Sequence, residues 1–151
     1  ISSAAGRRVL PLQEFVLGNR RTALREGEMV TAILIPDDAA KANGHFLKLG
    51  SRQYLVISFV MVATLLEADA NGSITQARIS VGACSEVACR LADLEVDLIG
   101  VSLAEAGNIA APNHLKDLSP ISDIRATAEY RKDAALELVR RSLSACAEGL
   151  S

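Results

Sequence analysis

The sequence predicts an α+β fold, an antiparallel sheet of three to four strands packed on one face by about three helices. Two observations carry this. Strand-like segments come first and helix-like segments afterwards, with no βαβ alternation that would make a parallel sheet. The clearest strand, Ile74 to Ala83, places Ala77, Ile79, Val81 and Ala83 on one face and Gln76, Arg78 and Ser80 on the other, so one side of the sheet needs a cover.

The chain opens with Gly6, Pro11, Gly18 and several arginines around isolated apolar anchors (Val9, Leu12, Phe15, Leu17), and residues 1–26 read as a connector leading into a domain at 27–151. Met29 to Ile35 is apolar and partly β-branched, and Pro36-Asp37-Asp38 stops it as a turn, which predicts a first strand. His45 to Leu49, after the Asn43-Gly44 turn dipeptide, predicts a second strand paired with the first. Phe59 to Glu67, the turn residues Ala70-Asn71-Gly72-Ser73, and Ile74 to Ala83 then read as a hairpin.

Leu91, Leu94 and Leu98 recur at helical spacing before Gly100, which predicts a short helix with a glycine stop. Ser102 to Ala106 can begin another, but Gly107, Asn108 and Pro112 break it before His114 to Leu118. The strongest helix is Tyr130 to Ala147, with Leu136, Val139, Leu143 and Cys146 on one stripe, Arg131, Lys132, Arg140 and Arg141 mostly off it, and Gly149 as terminator.

Composition narrows the function classes. A chain of 151 residues, half of them apolar, can bury a core without disulfides or metal. Sixteen basic against 18 acidic side chains give a net charge of −2, which argues against nucleic acid as partner. No apolar run reaches the roughly 18 to 20 residues of a membrane span, so a soluble protein is expected. Three cysteines, Cys84, Cys89 and Cys146, lack the paired spacing of a zinc or iron-sulfur site and fit unpaired thiols in a reducing, cytoplasmic setting. The chain starts at Ile1 without a signal-peptide layout, as a fragment of a longer chain would.

Self-contained catalytic machinery is absent from the pattern. The glycines stand singly, without a phosphate-loop fingerprint. His45 and His114 are expected to face solvent, and Glu26, Glu28, Asp37 and Asp38 read as solvated turn carboxylates. The unusual stretch is Lys48-Leu49-Gly50-Ser51-Arg52-Gln53-Tyr54, where a lysine, an arginine and a tyrosine surround a glycine between two strands. On residue types alone, surface cations with a half-buried tyrosine anchor are a better account of it than a ligand-facing loop.

Glu14-Phe15, Gly18-Asn19-Arg20-Arg21-Thr22-Ala23-Leu24, Gly27-Glu28-Met29-Val30, Ile33-Leu34-Ile35-Pro36, Phe46-Leu47-Lys48, Gly50-Ser51-Arg52, Ala77-Arg78-Ile79-Ser80-Val81-Gly82-Ala83-Cys84 and Asp123-Ile124-Arg125-Ala126-Thr127-Ala128-Glu129-Tyr130-Arg131 occur in that order. Together they resemble the C-terminal domain of the FAD-binding medium subunit of molybdenum hydroxylases, the family of xanthine dehydrogenase and aerobic carbon monoxide dehydrogenase. The resemblance implies an oxidoreductase in which molybdopterin on a large subunit oxidises substrate. Electrons pass through 2Fe-2S clusters of a small subunit to FAD, held mostly by a preceding FAD-binding domain, and on to an acceptor. It also implies that Val30 and Lys48 touch the flavin, with Tyr54 on a loop beside it, and that the fragment alone binds FAD weakly or not at all. The rival expectation is a structural docking module without a flavin role. A freestanding enzyme of unrelated fold would need a catalytic constellation that the sequence lacks.

Overall fold

Residues 1–37 and 42–150 are described by the computed structural model, in two compact units, Ile1–Ala40 and Lys41–Ser151. The first unit is built from short pieces: β1 (Ser2–Ser3) pairs with β2 (Gly6–Arg7), α1 (Leu12–Phe15) follows, and β3 (Val16–Gly18) pairs with β4 (Arg21–Thr22). Forty residues are too few to enclose a core, and among those described in this unit only Gly18 is buried. Polar clips take over. Arg8 forks onto Glu28 through Nε and Nη2, at 2.9 and 2.8 Å, and its Nη2 also donates to the Ala23 carbonyl at 2.7 Å.

The segment Met29–Ile35 is not a strand. Only Met29 pairs, through an isolated bridge to Ser2, while Ile33, Leu34 and Ile35 stand exposed. Its apolar residues favour extended backbone, but a strand also needs a neighbour's N–H and C=O groups, and beyond Met29 none of the described residues offers them along this stretch. Asp38, expected in the turn after it, lies outside the described residues.

The second unit holds a four-stranded antiparallel sheet: β5 (Asn43–Gly50), β6 (Ser58–Ala68), β7 (Ile74–Gly82) and β8 (Cys89–Arg90), paired in that order. The expected hairpin is β6–β7, with Thr64 opposite Ile79 and Val62 opposite Val81; Ala83 lies just beyond the strand. The strand predicted at His45–Leu49 forms, but it pairs with β6, Lys48 opposite Met61, and not with the Met29 segment. The choice follows burial: in this register His45, Leu47 and Leu49 share the face of Thr64, Val62 and Val60, and every other residue of both strands reaches the core.

That face is covered by α2 (Ala92–Asp97), a 3-10 turn Leu103–Glu105, α3 (Ala106–Ile109), a 3-10 turn Pro112–Leu115 and α4 (Ala128–Glu148). Helix α4 crosses β5 and β6, and α2 lies on β7. Val60, Val62, Leu66, Ile79, Val81, Leu94, Leu98 and Leu143 are wholly buried between them, each contributing roughly 1.5–3 kcal/mol by leaving water. Thr64 and Ser142, the buried hydroxyls of the two layers, satisfy each other at 2.9 Å.

The start of α4 is set by Thr127, whose Oγ1 accepts from the Tyr130 N–H at 3.1 Å, so that the helix begins at Ala128, two residues before the predicted start at Tyr130. Gly107 lets α3 lie against α4: a Cβ there would stand 2.4 Å from Ser144 Oγ and 3.1 Å from the Arg140 carbonyl. The broken helix expected around Gly107 and Pro112 is thus a pair of short turns pressed onto α4.

Candidate functional site

The opposite sheet face lies open to solvent over β5, where Gly44, Phe46 and Lys48 alternate with the core-facing residues. Phe46 is 59% exposed, a large apolar side chain left without a cover in this unit. Lys48 extends from the same face near the end of β5. Its Nζ donates to the Val56 carbonyl at 3.2 Å. An ammonium has three donors, so this single bond leaves the cation able to meet an anionic or acceptor group.

Lys48 thereby spans the loop that joins β5 to β6. The loop, residues 51–57, is short and tightly bent, and it folds back over Gly50, where a Cβ would stand 2.7 Å from Val56 Cγ1. Arg52 Nη2 donates to the Leu55 carbonyl at 2.5 Å. Leu55 itself has a positive φ of 50°, a left-handed conformation that a branched side chain adopts only under local constraint. The tip presents Tyr54 and Leu55, 72% and 92% exposed, rather than a half-buried tyrosine anchor. Lys48 and Tyr54 thus belong to one feature of the second unit: a cation at its base and an aromatic ring at its tip.

Val30 lies in the first unit. It is 42% exposed and lines an apolar cavity of about 780 Å³, whose walls include Ile1, Val9, Pro11, Phe15 and Ile33. Glu28, two residues away, is a clamp and not a free turn carboxylate. The Arg8 guanidinium, with the backbone N–H of Arg25, holds its pKa down to about 2.

Expectations about other charged or titratable side chains are overturned as well. His114 does not face solvent; it is 7% exposed. Its Nδ1 accepts from the Ala111 N–H at 3.0 Å, which places the proton on Nε2, 3.0 Å from Asp97 Oδ2. The ring is a clasp between the second 3-10 turn and α2. His45 is half-buried, its Nδ1 enclosed on the core face of β5.

Arg131 does not lie off the apolar stripe of α4 either. It is 3% exposed, with Nη1 on the Phe59 carbonyl at 3.1 Å and Nη2 on Asp123 Oδ1 at 3.0 Å. The helical period carried this signal, because Arg131 precedes the buried Ala135 and Val139 by one and two turns.

The thiols are unpaired. Burial pushes the Cys84 thiol up to about 11, against the partial offset of nearby Arg131, and burial also raises Cys146. Among the described residues no cluster of three or more His, Cys, Asp or Glu is arranged to hold a metal ion, and no helix is long and apolar enough to cross a membrane.

Comparison with known proteins matches residues 45–146 to the family described as CO dehydrogenase flavoprotein C-terminal domain. The nicotine 6-hydroxylase medium subunit of Paenarthrobacter nicotinovorans is 32% identical over 144 residues, 95% of this chain and 50% of that protein. The carbon monoxide dehydrogenase medium chain of Hydrogenophaga pseudoflava is 28% identical over 141 residues, 93% of this chain and 48% of that one. Quinoline 2-oxidoreductase from Pseudomonas putida 86 superimposes with a TM-score of 0.80 at 26% identity, covering 98% of this chain and 51% of that chain. The chain therefore spans about half the length of the relatives it matches. The matched residues take in the whole sheet from His45 onward, the loop with Tyr54, Lys48 at its base and α4 almost to its end, and on that basis the chain belongs to the CO dehydrogenase flavoprotein C-terminal domain family.

Proposed function

We propose that the chain is the flavin-covering part of the FAD-binding medium subunit of a molybdenum hydroxylase, a cytoplasmic electron-transfer unit that works with an iron-sulfur small subunit and a molybdopterin large subunit. The observation that carries this reading is Lys48: a cation on the open sheet face, held by a single bond to a carbonyl beneath an exposed tyrosine loop, inside the region that matches the family. Bound FAD would supply two-electron chemistry, taking electrons from the iron-sulfur side and passing them to an acceptor.

The residues of this chain fit a covering role rather than a holding one. The Lys48 ammonium offers positive charge where a flavin gains negative charge on reduction, which favours the reduced form electrostatically. Val30 offers an apolar contact for the ring, and Tyr54 an aromatic side chain that can exclude water. No glycine-rich phosphate loop is present in the sequence, so the diphosphate falls to the preceding FAD-binding domain, and this chain alone is expected to retain little or no FAD.

The second reading is a docking module without a flavin role. It is favoured by the exposed apolar side chains of Ile33, Leu34, Ile35, Phe46 and Leu55, which suit burial against another protein surface. Flavin content, visible spectrum and reduction potential of the full-length subunit, native and Lys48→Ala, separate the two. The flavin-covering reading expects FAD in the full-length protein, none in the 151-residue chain, and a lowered potential or weakened binding in Lys48→Ala. An unchanged flavin in Lys48→Ala supports docking; a full-length subunit without flavin removes the electron-transfer reading.

A further inference from the structure

The loop that carries Tyr54 has two ends, and they are held differently. At the β5 end, the bond from Lys48 and the lack of a side chain at Gly50 let Val56 fold back. At the β6 end, the anchoring comes from a distant part of the chain. Arg131, on the first turn of α4, reaches 72 residues back to donate Nη1 to the carbonyl of Phe59, two residues beyond the loop. Its guanidinium also lies 5.6 Å from the centre of the Phe59 ring, which meets Tyr130 edge-on at 6.5 Å.

The anchor is itself anchored. Asp123 Oδ1 accepts from Arg131 Nη2 and from the backbone N–H groups of Arg125 and Ala126, at 3.0, 2.9 and 3.1 Å. Asp123 Oδ2 accepts from Arg125 Nη1 at 2.8 Å. These bonds, led by the Arg125 N–H, hold the Asp123 carboxyl well below its usual range.

A buried cation is a poor device for stability alone, because apolar residues of the same volume commonly do as well or better. Here it is also incompletely satisfied, since Arg131 Nε is buried without a partner. What the arrangement does supply is geometry. A planar fork spans one carbonyl and one carboxylate at fixed angles, which a flexible ammonium cannot do. It therefore fixes the direction in which the chain leaves the loop and enters β6.

We propose that Arg131, oriented by Asp123, is a positioning residue that sets the loop of residues 51–57, and through it Tyr54 and the Val56 carbonyl that Lys48 binds, against the flavin. This rests on the flavin-covering reading above. Arg131 touches no reacting group; its effect is transmitted through Phe59.

The test uses the full-length subunit with its FAD and compares native protein with Arg131→Lys, Asp123→Asn and Lys48→Ala. Amide hydrogen exchange is followed for residues 51–57 and, as an internal reference, for α2. Losing a charge-assisted bond at the Phe59 carbonyl is expected to speed exchange in 51–57 by about tenfold while α2 keeps its native rate. The flavin potential should shift in both Arg131→Lys and Lys48→Ala. A purely structural role would loosen the loop and leave the potential where it was. The proposal is overturned if the loop exchanges at the native rate, or if Lys48→Ala moves the potential and Arg131→Lys does not. Should Lys48→Ala also leave the flavin unmoved, the flavin-covering reading falls first and takes this assignment with it. If Arg131→Lys does not fold, Asp123→Asn decides on the same two readouts: it removes the charge that faces Arg131 and replaces the oxygen that accepts from Arg125 Nη1 by an NH2 donor, while the remaining oxygen can still accept from the backbone N–H groups of Arg125 and Ala126.

Discussion

The two compact units are both rich in apolar residues, yet only one of them encloses a core. In the second unit, Val60, Val62, Leu66, Ile79, Leu94, Leu98 and Leu143 are fully out of water between the sheet and its helices. In the first, Val9, Leu12, Ile33, Leu34 and Ile35 are each about two-thirds exposed or more, and the chain is held by the Arg8–Glu28 fork and the Ser2–Met29 backbone pair. Hydrophobic content does not by itself make a core. It becomes one when elements long enough to present a continuous face are close enough to cover each other. The second unit has an 11-residue strand and a 21-residue helix for this purpose; among the described residues of the first, the longest regular element has four residues.

This contrast can be broken most directly in the second unit. Leu98→Ala empties a fully buried site between α2 and the sheet and is expected to cost roughly 2–5 kcal/mol. Denaturant unfolding followed on the helical signal would show it as a lowered midpoint at unchanged slope. A loss below about 0.5 kcal/mol, the level typical of surface substitutions, would mean that the core described here does not carry the stability of the unit.

In the first unit the corresponding lever is electrostatic. Glu28 has its pKa lowered to about 2 by the Arg8 guanidinium and the Arg25 N–H. A depressed carboxylate contributes stability that is fully present above its unfolded value of about 4.3 and is lost as pH falls through about 2. The Glu28 side-chain carbon resonance should titrate near that lower value, and the Ser2–Met29 amide bond should exchange faster below it. A Glu28 midpoint in the ordinary carboxylate range would show that the fork does not persist in solution.

The smallest effect is expected at an exposed apolar position. Ile33 is 82% exposed, so Ile33→Asn should change the stability of the 151-residue chain by less than about 0.5 kcal/mol. The same substitution in the full-length protein sharpens the comparison. A clearly larger loss there would mean that the apolar surface of the first unit is covered in that context, and an equally small one that it stays exposed.

How much of this was legible beforehand depended on the range of the interaction. The β6–β7 hairpin, the leucine stripe of α2 and the extent of α4 were readable, because period and turn residues lie within a few positions of one another. The Met29–Ile35 strand was misread because its composition reports a preference for extended backbone and nothing about a partner. The pairing of β5 was misread for the same reason: both candidate neighbours are apolar, and only burial of alternate residues selects β6.

The site divides along the same line. Lys48 and Tyr54 were singled out from a local cluster of unlike residues around Gly50. The return of Val56 onto Lys48 and the positive φ of Leu55 were not visible in that cluster. Arg131 and His114 were taken for ordinary surface groups, since nothing adjacent to either in sequence announces Phe59, Asp123 or Asp97 as a partner. By itself the sequence determined the class of the fold, the placement of its helices and the family to which the chain is akin, because these follow from periodicity and from motifs in order. Which strands pair, which cations are buried and how the Tyr54 loop is held were decided only by tertiary structure, where residues 72 positions apart share one carbonyl and the cost of enclosing a charge depends on who else is enclosed with it.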